Sequence, residues 1–396
     1  MARAADRGRA LSVLVIAPTL RQGGAEAVAA WILEALRDDH KVTLLTLEPV
    51  DLARVNRWCG TSLEEGQVRV AQASGWLGAA LGRFPLPLDL LRNRVLYRAA
   101  AARLSEYDVA ISAGGEAWLG RPVIQYVHFL WAYEPDWAAA LRWYHRFPGL
   151  LFVYYSLARW IHRPEPGRIR DNTTLVNSDF TGREFDARYR GGSTTVYPPV
   201  RTLTLASPWN AREDAFLCVG RIVPEKRLER VIEIVARLRT TRPALRLCIA
   251  GAKATRHGSY YRHIRGLAAQ NSSWITLVDD PDRAELDRLM GRHRYGLHGM
   301  EGEHFGMAPA EMARGGALVF VHDSGGQREV VGSESLLRYS SVDDAVRKIG
   351  AVLDDQREQA RLLDHLREHT RRFSTEAFMC AIRGAVSRTA ARAEDI

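Results

Sequence analysis

Short apolar runs alternate along the chain with segments in which apolar residues recur every three or four positions. The short runs predict strands at 11–17, 41–47, 68–71, 109–112, 123–128 and 174–177, and again at 216–219, 246–250, 276–279, 295–298 and 317–322. The periodic segments predict helices at 25–38, 91–104, 228–240, 260–270, 283–290, 309–314 and 342–354. Because strands that alternate with helices build parallel sheets from βα units, the predicted fold class is α/β.

The length of the chain and one irregular stretch indicate two domains. At 396 residues the chain exceeds what one ordinary hydrophobic core supports, and it fits two domains of typical size. The proline-containing stretch 197–210 follows neither a helical nor a strand pattern, so it is the expected connection. We therefore predict two doubly wound, Rossmann-like domains facing a cleft, with ligands at the carboxyl ends of the strands.

The composition is that of a soluble globular protein, with 46% hydrophobic and 26% charged residues. No apolar run approaches the roughly 20 residues that span a bilayer, and the first residues do not form a secretory signal pattern. The four cysteines are far apart and have neither disulfide nor metal-ligand spacing. These features predict a cytoplasmic protein with reduced thiols.

The net charge of +9 fits several partners: nucleic acid, an anionic membrane, phosphorylated small molecules, or only solvent around surface arginines. No helix-turn-helix, zinc-finger or aromatic RNA-binding pattern favours nucleic acid, so no nucleic-acid partner is expected. Lysine occurs only at positions 41, 226, 253 and 348, and every other cationic Lys/Arg position is arginine. A lysine beside a strand end is therefore informative in this chain.

The most informative stretch is 303–311, in which Glu303 and Glu311 bracket a small-residue turn. A helix is expected to begin near Pro309, because proline suits the first helical position. The amides beside that helix N-terminus, where an anion is favoured, belong to Phe305, Gly306 and Met307. Two carboxylates on either side of a phosphate site can bind hydroxyl groups, and a nucleotide sugar offers a ribose, a diphosphate and a hexose in that order.

A second candidate is the segment 220–226, which directly follows a predicted strand. Arg221 can hold phosphate oxygens with its planar guanidinium, and Lys226 supplies a compact positive charge from the next turn. Together they can neutralise a diphosphate leaving group without a metal ion. The alternative is a surface loop with two solvated cations.

Two weaker candidates lie in the first half of the chain. Gly23 and Gly24 open the first predicted helix, where backbone can approach a phosphate closely, although a βα turn also uses glycine for structural reasons. His128 ends a predicted strand, which favours a role in ligand contact, although a lone histidine is often a structural hydrogen-bonding group.

Three further patterns give weaker evidence for a functional site. The glycine-containing segment 323–329 can line a cleft or simply form a turn before a helix. Asp280 and Asp282 match the Asp-x-Asp pattern of metal-dependent sugar transfer, but Asp282 stands three residues before Glu285, which is a capping arrangement. The histidines at 293, 298 and 304 lack metal-ligand spacing, so no metal site is predicted.

In combination these segments resemble family 4 of the glycosyltransferases, retaining enzymes of GT-B architecture that include sucrose-phosphate synthase and many mannosyltransferases. The resemblance covers most of the chain and is strongest at 220–331, where the Gly-Arg-x3-Glu-Lys, Glu-x7-Glu and Ser-Gly-Gly-x2-Glu segments follow the family's order. The sequence at 302–307 is most similar to that of the lipid-linked-oligosaccharide mannosyltransferases. Met307-Ala308-Pro309-Ala310 departs modestly from the family's more usual Leu/Ile-Pro wording.

The resemblance implies roles for the candidate residues. Arg221 and Lys226 would bind the donor diphosphate, assisted by backbone at Gly23-Gly24 and at 305–307. Glu311 would bind the ribose, Glu303 the transferred sugar, and His128 the sugar near the acceptor side. It also implies retention at the anomeric carbon, with no cofactor and no metal.

The resemblance also implies a domain organisation. Residues 1–200 would form the acceptor-side domain and 201–372 the nucleotide-sugar domain. Residues 373–396, which begin with a plausible cap and continue with apolar periodicity, would form a helix that packs back on the first domain.

The sequence leaves the sugar and the acceptor open. Mannose to a lipid-linked glycan or other glycoconjugate is favoured, glucose or N-acetylglucosamine from a UDP donor to a soluble natural product is an alternative, and a catalytically silent scaffold subunit is another. The stretch 129–163 is rich in Trp, Tyr and Arg, which suits peripheral contact with an anionic membrane at its cytoplasmic face. The same composition also suits a helical insert that packs on its own domain or forms an acceptor pocket.

Overall fold

The computed structural model describes residues 9–73, 89–130, 156–157, 160–162, 165–203, 207–253 and 257–394. The chain divides into two compact units, one formed by Met1–Pro199 with Glu376–Ile396 and the other by Val200–Thr375. Each unit contains one wholly parallel sheet with flanking helices. None of the described helices is long and apolar enough to cross a membrane.

The strands of the described ranges are β1 (Ser12–Ile16), β2 (Lys41–Thr46), β3 (Val68–Gln72), β4 (Val109–Ser112), β5 (Ile124–Val127), β6 (Thr173–Val176), β7 (Ser193–Thr195), β8 (Glu213–Val219), β9 (Arg246–Gly251), β10 (Ile275–Asp279), β11 (His293–His298), β12 (Leu318–His322) and β13 (Arg338–Tyr339). The α-helices are α1 (Gly24–Leu36), α2 (Leu52–Cys59), α3 (Asp89–Ala101), α4 (Asp179–Tyr189), α5 (Leu228–Arg239), α6 (Gly258–Gln270), α7 (Arg283–Arg292), α8 (Met307–Arg314), α9 (Arg328–Val331), α10 (Val342–Asp354), α11 (Gln356–His369) and α12 (Thr375–Glu394).

The first unit has seven strands in the order β3-β2-β1-β4-β5-β6-β7. Strand β1 is buried on both faces from Val13 onward, as expected for the centre of a parallel sheet covered by helices. The C-terminal helix α12 joins this core through Phe378, Ile382 and Val386, which recur every four residues and are almost fully buried. Residues 376–394 are therefore part of the first unit although they lie at the end of the chain.

The second unit has six strands in the order β10-β9-β8-β11-β12-β13. Its centre is apolar and aromatic, with the rings of Phe216 and Tyr295 on adjacent strands 5.2 Å apart. In both units the chain order reverses at the first strand, which places the carboxyl ends of β8 and β11 side by side. The predicted α/β class with two parallel sheets is confirmed.

The longer predicted strands agree with the structure to within a few residues, but several elements have no counterpart in the prediction. The edge strands β7 and β13 have three and two residues, too few for a periodic pattern. The helices α2, α4 and α11 were also missed. Helix α4 is only weakly amphipathic, with charged residues on most of its surface. Cys59, Cys218 and Cys248 are buried, Cys380 is exposed, and all four are free.

The ends of β8 and β9 approach each other so closely that one position requires glycine. A β-carbon added to Gly251 would lie 1.7 Å from the carbonyl oxygen of Gly220. That distance is far inside van der Waals contact, and the obstacle is backbone rather than a movable side chain. The chain after β8, which carries Arg221 and Lys226, is thus fixed against β9.

Replacing Gly251 by alanine is expected to lower the free energy of unfolding by about 3 kcal/mol, because the new methyl group displaces the Gly220 carbonyl. Gly266→Ala is the matched control, since Gly266 lies inside α6 with nothing within 4 Å of the added carbon. That change should be stabilising by about 0.5–1 kcal/mol. Urea unfolding followed by circular dichroism measures both. Equal stability of the two variants would contradict the close contact.

Candidate active site

Glu303, in the loop between β11 and α8, accepts two hydrogen bonds from cationic or polar side chains of the second unit. Lys226, which ends the turn after β8, forms an ion pair with its Oε2. His298, the last residue of β11, places Nε2 3.2 Å from the same oxygen. Because a carboxylate only accepts, Nε2 carries the proton. No described residue donates to Oε1, so this oxygen is available to a ligand.

The surroundings of Glu303 keep it ionised. Burial by itself raises the pKa of its carboxyl, but the hydrogen bond from His298 and the charge of Lys226 outweigh burial and hold the pKa well below its usual range. Burial also lowers the pKa of His298, and the Lys226 charge adds to this effect, while Glu303 opposes it. At neutral pH the group therefore contains a carboxylate, an ammonium and a neutral imidazole.

Arg221 follows the carboxyl end of β8 and is exposed. Within the part of the chain that the structure describes, its guanidinium forms no ion pair and donates no hydrogen bond. It is therefore a cation with its full set of donors available to an anion, on the same strand end that leads to Lys226.

The N-terminus of α8 lies a few residues after Glu303 in the chain. Gly306 is the N-cap with φ +98°, a conformation that favours glycine, and no side chain caps the helix. Among the described residues, none accepts a hydrogen bond from the amides of Gly306, Met307 or Ala308. The helix begins at Met307, two residues before Pro309, near which it was expected. Pro309 is the third helical residue, where an amide also lacks an intrahelical acceptor.

The Glu303 loop is held by the segment after β12. The Gly326 amide donates to the Glu303 carbonyl at 2.7 Å, and the Gly302 amide donates to Ser324 Oγ at 2.9 Å. Gly325 has φ +68°, and a β-carbon there would lie 2.4 Å from the Glu303 carbonyl oxygen. The buried Gln327 donates to the Met300 carbonyl at 2.7 Å. The Ser-Gly-Gly segment thus shapes the loop that carries Glu303.

Glu311, on the first turns of α8, has a partner that the sequence did not reveal. Its Oε1 accepts from Arg283 Nη1 at 2.7 Å, and both side chains are mostly buried. Arg283 is the first residue of α7 and also bonds Asp287, which pairs in turn with Arg201. The only signal in the sequence is an arginine directly after a capping aspartate, which is too common to identify a partner.

The Asp-x-Asp pattern serves local structure. Asp282 caps α7 by accepting from the Glu285 amide at 2.7 Å, as its spacing predicted. Asp280 has φ +48°, and its Oδ1 accepts from the Lys253 amide at 2.8 Å. Throughout the described ranges, no three His, Cys, Asp or Glu side chains come together in a way that could hold a metal ion.

In the first unit, Gly23 is the N-cap of α1 and Gly24 its first residue. A β-carbon on Gly23 would lie 2.1 Å from Oε2 of Glu26, so the glycine leaves room for that carboxylate beside the helix N-terminus. A phosphate at this position would have to share it with Glu26. The role of Gly23 and Gly24 in donor binding remains a prediction.

His128 directly follows β5, as predicted, and its ring is oriented by the protein. Nε2 lies 3.0 Å from the Ala113 carbonyl oxygen, so Nε2 carries the proton there. The ring also packs against Tyr126 at 5.0 Å, and Asn177 donates to the His128 carbonyl at 2.9 Å. These contacts fix the imidazole, and its role in sugar contact remains a prediction.

The predicted membrane-contact stretch 129–163 lies largely outside the described residues, which include only 129–130, 156–157 and 160–162 of it. Two of these are exposed aromatic residues, Phe129 at 47% and Trp160 at 74%. The membrane prediction therefore stays a prediction.

The buried state of His298 predicts how stability depends on pH. Its pKa in the folded protein is below the ordinary value of 6.5, so the unfolded chain binds more protons as the pH falls below 6.5. The contribution of His298 to stability is thus complete above that pH and decreases below it. His298→Gln keeps an N–H donor but does not titrate, and should flatten the decrease by at most about 1.4 kcal/mol per pH unit.

Urea unfolding at several pH values between 7 and 5 measures this slope. His263→Gln is the control, because His263 is an exposed histidine on α6 of the same unit. It tests whether the loss of an exposed imidazole changes the slope to the same extent. A His298→Gln variant with the unchanged wild-type slope would show that His298 is not held in its neutral form.

Comparison with known proteins shows which family and which proteins the chain is similar to. The family model for glycosyl transferases group 1 matches residues 204–372. A curated relative, the GDP-Man:Man(3)GlcNAc(2)-PP-Dol alpha-1,2-mannosyltransferase of Candida glabrata, is 23% identical over 192 residues. That alignment covers 45% of this chain and only 37% of the relative.

Solved structures of other proteins are similar in fold to this chain along almost its whole length. The Anabaena protein HepE in complex with UDP-glucose has a TM-score of 0.66 at 17% identity, covering 96% of this chain and 100% of that one. Sucrose-phosphate synthase from Thermosynechococcus elongatus has a TM-score of 0.69 at 17% identity, covering 96% and 99%. At such low identity the likeness defines the fold, which is that of GT-B glycosyltransferases. The chain thus has the GT-B fold, and its residues 204–372 match the family model for glycosyl transferases group 1.

Proposed function

We propose that the protein transfers a hexose from a nucleotide-diphosphate sugar to a hydroxyl acceptor, with retention of anomeric configuration and without a metal ion. The observation that carries this proposal is the group formed by Lys226, Glu303 and the uncapped N-terminus of α8. It contains a cation, an ionised carboxylate and unpaired amides at the carboxyl end of a parallel sheet. It also lies within the region that the glycosyl transferases group 1 model matches.

The diphosphate of the donor would be bound by the two cations that follow β8. Arg221 has no partner among the described residues, and its guanidinium can bind two phosphate oxygens at once. Lys226 would contribute a second charge, and the amides at 305–307 would face the phosphate from the start of α8. In the first unit, backbone at Gly23 and Gly24 would assist. These groups would neutralise the leaving diphosphate in the place of a metal.

The two glutamates would bind hydroxyl groups on either side of the phosphates. Glu303 has one oxygen unoccupied by protein donors and would meet the transferred sugar. Glu311 would accept from the ribose, and His128 would contact the sugar near the acceptor side. Neither glutamate needs to exchange a proton with the substrate, because both act as fixed acceptors.

The reaction would proceed through an oxocarbenium-like transition state. The bond between the anomeric carbon and the diphosphate oxygen breaks while the acceptor oxygen forms a new bond on the same face of the sugar. The acceptor's proton passes to the departing diphosphate. Arg221 and Lys226 would stabilise the negative charge that develops on this leaving group.

The identity of the sugar is supported only by relatives. The name of the aligned Candida glabrata enzyme includes GDP-Man and an acceptor linked to PP-Dol, which favours mannose and, with it, a lipid-linked glycan or other glycoconjugate as acceptor. The HepE structure holds UDP-glucose, which favours the alternative of a UDP-sugar donor. A catalytically silent scaffold is the alternative from another class. The intact set of Arg221, Lys226, Glu303 and Glu311 weighs against it.

A thermal-shift screen with GDP, UDP, ADP and dTDP and their sugar derivatives separates these donors. A ligand at one hundred times its dissociation constant stabilises the folded state by about 2.7 kcal/mol, which is a measurable increase in melting temperature. We expect the largest increase with GDP-mannose. A response only to UDP derivatives would move the assignment to glucose or N-acetylglucosamine. No response to any nucleotide sugar, with no turnover, would support the silent scaffold.

Glu303→Gln and Lys226→Ala are each expected to lower the rates of transfer and donor hydrolysis by about 100-fold to 1000-fold. Lys226→Ala removes a cation that stabilises the leaving diphosphate, and Glu303→Gln removes the carboxylate that accepts from the transferred sugar. Glu233→Gln is the control, since Glu233 is an exposed glutamate on α5 of the same unit. It should have the wild-type rate. Wild-type rates for both site variants would refute the assignment of the site.

A further inference from the structure

Glu311 is a mostly buried carboxylate with one protein partner. Its side chain is 13% exposed, and Oε1 accepts from Arg283 Nη1 at 2.7 Å. Among the described residues, none besides Arg283 donates to this side chain. Oε2 is therefore free to accept from a ligand, while Oε1 is fixed by an arginine.

Arg283 is itself held in one position. Its side chain is 11% exposed, and its Nε donates to Asp287 Oδ1 at 2.8 Å, one helical turn further along α7. Asp287 also forms an ion pair with Arg201. Glu311, Arg283, Asp287 and Arg201 thus form a row of alternating charges, in which each interior member has a partner on both sides. The guanidinium cannot rotate without breaking these bonds.

The place of Arg283 in its helix is unfavourable on local grounds. It is the first residue of α7, where the helix dipole favours negative charge and disfavours a cation. Asp282 caps the helix without help from Arg283. A residue that breaks a local rule usually answers a demand from elsewhere in the fold, and here the demand is the carboxylate on α8.

We propose that Arg283 is a positioning residue that fixes the carboxylate of Glu311 in the orientation that binds the ribose hydroxyls of the donor. This inference rests on the proposed function. Arg283 does not touch the donor; it holds Oε1, so that Oε2 faces the ligand. Without Arg283 the carboxylate would be mostly buried and unpaired, and it would turn toward solvent.

Discrimination between ribose and deoxyribose tests this role directly. Calorimetric titration of the full chain with GDP and UDP, and with their 2′-deoxy and 3′-deoxy forms, gives a ratio of affinities. A hydrogen bond to a charged group predicts that the wild type prefers the ribose form by about tenfold to a hundredfold. For Arg283→Gln we expect this ratio to fall toward one, as for Glu311→Gln. Arg283→Lys keeps the charge but not the fork, and should restore part of the ratio.

The control is Arg292→Gln, at the other end of α7, which removes an exposed ion pair with Glu213 and should keep the wild-type ratio. Melting curves establish that each variant is folded. If Arg283→Gln does not fold, the two single variants Arg283→Lys and Asp287→Asn are used for the test instead. An unchanged ratio in the Arg283 variants, or a wild type that does not distinguish the two sugars, would overturn the inference. A wild type that binds none of GDP, UDP, ADP and dTDP would instead refute the proposed function.

Discussion

The candidate site depends on one backbone contact, the hydrogen bond from the Gly326 amide to the Glu303 carbonyl. Gly325 lies so close to this carbonyl that no side chain fits there, so the two segments are in direct backbone contact. This contact determines where Glu303 emerges from its loop, and hence whether its carboxylate reaches Lys226 and His298. The same loop leads into Gly306, where α8 begins. The carboxylate and the helix amides are thus positioned together.

Charge in the second unit is largely compensated before any ligand binds. Glu303 lies between Lys226 and His298, and Glu311 pairs with Arg283, so neither mostly buried carboxylate lacks a cation or donor. Arg221 differs from these groups, since it is a cation at a strand end without a protein partner in the described ranges. The net charge of +9 is therefore a poor guide to this site, where one unpaired guanidinium matters more than the total.

The sequence predicted what short-range patterns determine. Buried strands such as β1 and β12 are largely apolar runs, and the capping of α7 by Asp282 follows from a three-residue spacing. Contacts between distant segments could not be predicted: Glu311 and Arg283 are 28 residues apart, and an arginine at the start of a helix has no pattern that points to its partner. Likewise, Gly325 resembles any turn glycine until the fold brings Glu303 against it.

The ion pair between Lys226 and Glu303 has a consequence for how a ligand is selected. Under the proposed function, Lys226 would pair with the incoming diphosphate instead of Glu303. His298 would then be the remaining donor to Glu303. A nucleoside diphosphate alone does not replace the lost partner, whereas a nucleotide sugar brings hydroxyl donors for the freed carboxylate. The Lys226–Glu303 pair would thus favour a ligand that carries both a diphosphate and sugar hydroxyls. Once the sugar has been transferred, Glu303 would compete with the bound nucleotide for Lys226. Re-formation of the ion pair would then assist product release.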